Sequence, residues 1–209
     1  MLAEGQVGGV PGTALKDRVT AIHRFGRHGQ LIVSDGHGHF YEPTVRGQIF
    51  YAHSAAAGTA SVATIGTMAM FCLYNPKGTK VNLSVLWGGI TLRQATLPSG
   101  FFSWCTNTNL DDAVPTGTAI TSYPGFVGGA ASQGVALATA TVVAPNPIRT
   151  IGSTLPVTIL TANNPFQISD LVDGAIVLPP GGAVSIQGVQ STAVAASLIF
   201  SVMWAEEPV

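Results

Sequence analysis

From Ala60 to its end the chain is a succession of Val-, Ile-, Thr- and aromatic-rich segments cut apart by Gly, Pro and Asn. Few of its stretches can sustain the three- to four-residue apolar spacing of a helix. Regular short β-prone runs between turn residues are the pattern of a sandwich or barrel. The first run, Ser61–Tyr74, is closed by Asn75-Pro76-Lys77-Gly78, a cluster in which Pro presets and Gly permits turn dihedrals. Lys80–Leu92 follows, with Val81, Leu83, Val85 and Trp87 on one face by alternation. Gly88-Gly89 within that run predicts a bulge or a close backbone approach.

Ser99–Thr106, Gly134–Ala144 and Leu155–Thr161 are the next expected strands, and Asn107–Gly134 is a long connection with room for a short strand. Gly174–Leu178 and Ala183–Gln187, flanking Pro179-Pro-Gly-Gly182, predict an antiparallel hairpin. In Ala195–Glu206, Leu198, Phe200, Val202 and Trp204 share one face while Ser197, Ile199, Ser201 and Met203 share the other. That alternation describes a half-buried strand whose second face is available to a neighbouring subunit. With no repeat of 20–50 residues to suggest a propeller or solenoid, we expect an all-β, jelly-roll-like antiparallel β-sandwich over residues 56–209. Residues 1–55, Gly-rich and mixed in charge, are expected to form an extended N-terminal arm or small subdomain.

Charge limits what such a protein can do. Only 9% of its 209 residues are charged and the formal net charge is -1, against roughly 25% charged residues in an ordinary globular domain. Little self-repulsion keeps copies apart, so association is expected. A basic stripe for phosphate backbones is missing, which argues against nucleic-acid binding. No apolar run approaches the roughly 18 residues a membrane-spanning helix needs. The N-terminal residues, which include Glu4 and Asp17, do not read as a secretory signal. Cys72 and Cys105 lie in apolar stretches without metal-binding spacing. They read as buried free thiols, with a disulfide left open.

Signals of chemistry are few. His23, His28, His37, His39 and His53 cluster towards the N terminus, and His37-Gly-His39 with Glu42 resembles the metal-binding HxH…E signature of cupins. Only two residues separate His39 from Glu42, where cupins have three or four, and no histidine after His53 could supply a fourth ligand. We therefore expect no cofactor and no metal centre, with His37, His39 and Glu42 as the residues that would hold a metal if one bound. There is no nucleophile elbow, P-loop or dinucleotide fingerprint. The acidic pairs Asp111-Asp112, Asp170/Asp173 and Glu206-Glu207 read as rims and turn caps, and no residue is expected to be catalytic. Trp87, Trp104, Phe101, Phe102 and Trp204 read as core.

Three segments carry a family resemblance: Arg27–Glu42 (RHGQLIVSDGHGHFYE), Asp173–Gly182 (DGAIVLPPGG) and Phe200–Glu207 (FSVMWAEE). Together they resemble structural proteins of tailed bacteriophages, in which a short N-terminal region precedes a β-sandwich ending in an aliphatic–Pro-Gly turn and a final Trp-x-Glu strand. The resemblance implies a virion component made in the host cytoplasm. Its role would be that of a trimeric capsid decoration (cement) protein, gripping major capsid protein or another virion protein through the N-terminal arm. A receptor- or glycan-binding tail-fibre tip is the alternative, expected to expose aromatics in Leu97–Leu110 and Tyr123–Phe126, and a cupin-like metal protein is the third. The scarcity of charge around Gly134–Ala144 and Ala195–Met203 predicts that a homotrimer buries those strands.

Overall fold

The computed structural model describes residues 38–94, 96–107, 113–143, 145–154, 157–158, 166–191 and 196–209, with backbone alone at 94, 96, 107, 157 and 158. The chain divides into two units at Tyr41/Glu42, and all but the first four described residues belong to the second. Most of the expected arm therefore lies outside the described residues. The helix α1 (Tyr41–Val45) leads into a strand, β1 (Ile49–His53). That strand pairs along its whole length, so the sandwich begins at Ile49 rather than at residue 56.

Eight main strands pair in nested order. β1 lies against the last strand, β14 (Ser197–Pro208). β3 (Met68–Tyr74) lies against the last but one, β13 (Ala183–Gln190). β4 (Val81–Gln94) pairs with β12 (Gln167–Leu178), and β6 (Gly100–Asn107) with β10 (Pro145–Thr154). First with last, second with seventh, third with sixth and fourth with fifth is the connectivity of a jelly roll, a long hairpin rolled into two packed antiparallel sheets. Three additions come between β6 and β10: β7 (Thr116–Ile120), β8 (Ser122–Pro124) and β9 (Val135–Thr141). Sheet I then reads β12-β4-β14-β1-β8, with the short β2 (Thr59–Ala60) also on β14. Sheet II reads β10-β6-β13-β3-β9-β7, and β5 (Thr96–Leu97) pairs with β11 (Val157–Thr158) outside both.

Alternation builds the core between the sheets. Leu198, Phe200, Val202 and Trp204 are all buried, as their spacing requires. Phe50 of β1 lies beside Trp204 at a centroid distance of 6.2 Å, and Phe71 of sheet II meets Phe200 of sheet I at 6.4 Å. In β4, however, the expected face breaks. Val85 pairs with Trp204 and Trp87 with Met203, so Leu86 is an extra residue, and this bulge reverses the alternation. Val81, Leu83 and Val85 point inward before it, and Ile90 and Leu92 after it, while Trp87 turns to the outer face. The glycines that follow serve the close approach expected of them. A Cβ at Gly88 would overlap the six-membered ring of buried Trp104, and one at Gly89 the ring of Trp87.

The expected C-terminal hairpin does not form. Residues flanking Pro179–Gly182 enter different sheets, β12 pairing with β4 and β13 with β3 and β6. The turn is a corner between layers, held by Asn75. That fully buried side chain donates from Nδ2 to the carbonyls of Val81 (2.8 Å) and Leu178 (2.9 Å). Its backbone N–H donates to Gly182, and its carbonyl accepts from Gly181. A turn signal between two β-runs fixes a reversal of direction but not the sheet that the second run joins.

Candidate interaction surface

The candidate metal residues are not brought together among the described residues. His37 lies outside them. The His39 ring stacks on Phe40 at 4.6 Å, and Glu42 accepts a hydrogen bond from Arg46 Nε at 2.9 Å in an ion pair one helical turn apart. Among the described residues no group of three or more His, Cys, Asp or Glu could hold a metal.

The acidic residues serve the framework. Asp170 accepts from Trp104 Nε1 (3.0 Å) and receives both Nε and Nη2 of Arg149 at 2.8 Å, joining β10 of sheet II to β12 of sheet I at one open side of the sandwich. These contacts raise the Arg149 guanidinium further above its ordinary value, through the Asp170 hydrogen bond first and its charge second. Glu206 and Glu207 face opposite ways, as neighbours on a strand must. Glu206 is buried, its Oε1 accepting from Ser132 Oγ (2.6 Å), Gln133 N (2.9 Å) and Gly134 N (3.1 Å), which pins the segment leading into β9. Asp111 and Asp112 lie outside the described residues.

The two thiols are buried and free. Cys72 and Cys105 both pair with Ser185 from opposite sides of β13, so they sit two strands apart, roughly 10 Å. That distance exceeds the reach of a disulfide. Burial pushes the Cys72 thiol up to about 12 and Cys105 up to about 11, the latter against a lowering hydrogen bond with Ser103.

The outer face of sheet I is different in kind. Register places Tyr123 beside Tyr51, Tyr51 beside Met203, Met203 beside Trp87 and Trp87 beside Leu171. These five side chains form one unbroken row across five strands, on the face opposite the core. Its ends are the most open, Tyr123 at 62% exposed and Leu171 at 62%, with Tyr51 at 43% and Met203 at 8%. Trp87 lies across Gly89 at intermediate exposure. Phe126 and Val127, just beyond β8, are exposed as well. The next two rows on one side, His53–Ser201–Gly89–Ser169 and then Ile199–Thr91–Gln167, contain no Asp, Glu, Lys or Arg.

The edges of both sheets are blunted. β8 is three residues long and ends in Pro124, and β10 contains Pro145 and Pro147 and two register shifts. β7 shifts register at Gly117. On β12, residues 172–175 bulge opposite Leu86, with Asp173 at φ 49° and Gly174 at φ 80°. Such features stop a strand from templating another chain. β14 and β9, expected to be shielded in a trimer as edges, are each paired on both sides.

One notch interrupts the side of the sandwich where β8 stops short of the end of β1. It is a cavity of about 260 Å³ between His53 and Ala55 on one side and Thr118, Thr121 and Ala138 on the other, with Tyr123 at its lip. Of the aromatics expected to be exposed in the alternative tail-fibre reading, Tyr123 and Phe126 are, whereas Trp104 is fully buried. The row itself eluded sequence inspection because its members come from five segments whose adjacency follows only from the nested pairing.

The described residues thus form an all-β jelly roll with blunted edges and an outer face on sheet I whose middle rows are uncharged and partly aromatic. Comparison with protein-family models, curated proteins and solved structures finds no match for the chain.

Proposed function

We propose that this chain is a non-enzymatic structural protein that works by association, and that the outer face of sheet I is the surface through which its copies meet. The row Tyr123–Tyr51–Met203–Trp87–Leu171 carries this reading. Five strands span four spacings of ~4.8 Å, about 19 Å, and the twelve residues of β14 run about 40 Å. The face therefore offers at most roughly 750 Å², close to the ~800 Å² per partner of a standard specific interface. Three successive rows free of carboxylates, Lys and Arg, about half of that face, keep the desolvation cost of burying its middle low, with Glu207 and Arg93 left towards its two ends. Blunted edges leave a face, rather than strand addition, as the route to assembly.

The assembly we propose is a homotrimer on a virus particle, as a decoration (cement) protein of a phage head. This placement rests on the sequence resemblance and on a fold shared with capsid proteins, an analogy rather than a site. Sedimentation velocity tests the association: the full chain should run as a trimer, and Trp87→Lys and Tyr51→Lys should shift it to monomer while circular dichroism stays unchanged. A wild-type monomer at tens of micromolar would overturn the reading. Deleting residues 1–40 tests the placement, because the truncated protein should remain folded and trimeric yet no longer bind particles.

A further inference from the structure

We propose that the notch beside β8, at the margin of the proposed association face, binds a single uncharged sugar ring. Its lining includes three hydroxyls, from Thr118, Thr121 and Tyr123, and one imidazole, with no Asp, Glu, Lys or Arg among the described residues. His53 Nδ1 lies 2.7 Å from the Ser54 carbonyl oxygen, which can only accept, so Nδ1 carries the proton. In the neutral ring Nε2 is left as a fixed acceptor, and it has no partner among the described residues. An imidazole acceptor in the same lining as hydroxyls that both donate and accept suits a polyol, whose hydroxyls do the same. An anion would find no cationic partner and a cation no carboxylate, and either would lose hydration without compensation.

Shape agrees with the chemistry. The cavity, about 260 Å³, falls just under the roughly 300 Å³ at which drug-sized sites begin, so it admits one ring rather than a chain. Ala55, Ala119 and Ala138 leave its walls shallow, and the exposed Tyr123 ring offers a flat apolar surface for the C–H face of a pyranose. Thr118 and Ala138 belong to sheet II, whereas His53 and Tyr123 belong to sheet I, so the notch opens between the sheets at the margin of the proposed association face.

Saturation-transfer NMR on the full chain tests this, with the methyl glycosides of glucose, galactose, mannose and N-acetylglucosamine as probes. At least one should bind with a millimolar Kd that weakens about tenfold in His53→Ala, the loss expected for one hydrogen bond. Thr118→Val should weaken it by a similar factor. Both positions are exposed, so both variants should fold, and because Thr118 lies on sheet II, Thr118→Val should also leave the sedimentation behaviour unchanged. The inference is overturned if none of the four glycosides binds, or if binding is the same in both variants as in the wild type.

Discussion

Gly88→Ala should be among the most damaging single-methyl changes available to this protein. Gly88 faces the core from β4, and a Cβ there would lie 2.8 Å from Trp104 Cη2 and nearer still to the adjoining ring carbon. Trp104 cannot give way. It is fully buried, and its indole N–H is committed to Asp170 at 3.0 Å. Overpacking of this kind costs about 1–3 kcal/mol. Trp104→Phe, which shortens the ring and forfeits the hydrogen bond, should cost roughly 2–3 kcal/mol by itself. In the double variant the methyl enters the space vacated by the indole, so the combined cost should fall short of the sum by about 1 kcal/mol or more. Gly89→Ala is the control, because Trp87 stands on the outer face and can swing aside, and its cost should stay within about 1 kcal/mol. Denaturant unfolding of the four proteins at one fixed concentration reads the cycle, with each kcal/mol worth about 2–4 °C in Tm. Additivity within roughly 0.5 kcal/mol would refute the claim that Gly88 exists to admit Trp104.

Other consequences follow from the buried polar groups. Glu206→Ala strands the Gln133 N–H and the buried Trp204 indole N–H, while Ser132 and Gly134 keep each other as partners, and should cost about 2 kcal/mol, with Glu206→Gln costing less because it keeps one oxygen. Hydrogen exchange at Gln133 and Gly134 should rise first, and unchanged protection in the Ala variant would refute the role of that carboxylate. Asp170→Ala should destabilise more than Arg149→Ala in urea titrations, because only the former strands the Trp104 N–H. Native Cys72 and Cys105 should resist iodoacetamide at pH 8 and react once unfolded. With both thiols raised in the fold, the unfolded chain ionises first as pH climbs above the ordinary thiol value of 9.0, so stability should decline from there towards 11 and 12.

Sequence periodicity was enough for the last strand, because β14 is central and has one wholly apolar face, and for the jelly-roll class as a whole. It failed where the deciding fact is long-range. The turn at Pro179–Gly182 carries the signature of a hairpin, yet its strands diverge into separate sheets because each finds a partner about 100 residues upstream, Leu178 opposite Leu83 and Ala183 opposite Tyr74. Trp87 was placed in the core by alternation, and one extra residue, Leu86, turned it outward. Trp104 illustrates the same limit from the other side: an aromatic beside a loop can line a surface or fill a core, and only the absence of a Cβ at Gly88 decides between them. His53 drew notice only as one of a histidine cluster, whereas its place beside Thr118 and Tyr123 depends on the strands inserted between β6 and β10.

That insertion marks where the chain departs from a bare eight-stranded roll, and the candidate surfaces depend on it. β8 extends sheet I by the strand that carries Tyr123, completing the row, and because it begins only at Ser122, opposite Ala52, the notch lies beside His53. β7 and β9 widen sheet II to form the notch's opposite wall, through Thr118 and Ala138. The segment between β8 and β9 is fastened by Glu206, a carboxylate buried near the end of the final strand whose Oε1 accepts from Ser132, Gln133 and Gly134. In a chain so poor in charge, placing a carboxylate there makes physical sense only if the segment must be held in one position. Releasing it by Glu206→Ala should therefore do more than lower stability. If β8 is positioned from that anchor, the same substitution should weaken trimer formation, and Glu206→Gln should restore most of it; an Ala variant that sediments as wild type would separate the anchor from the association face.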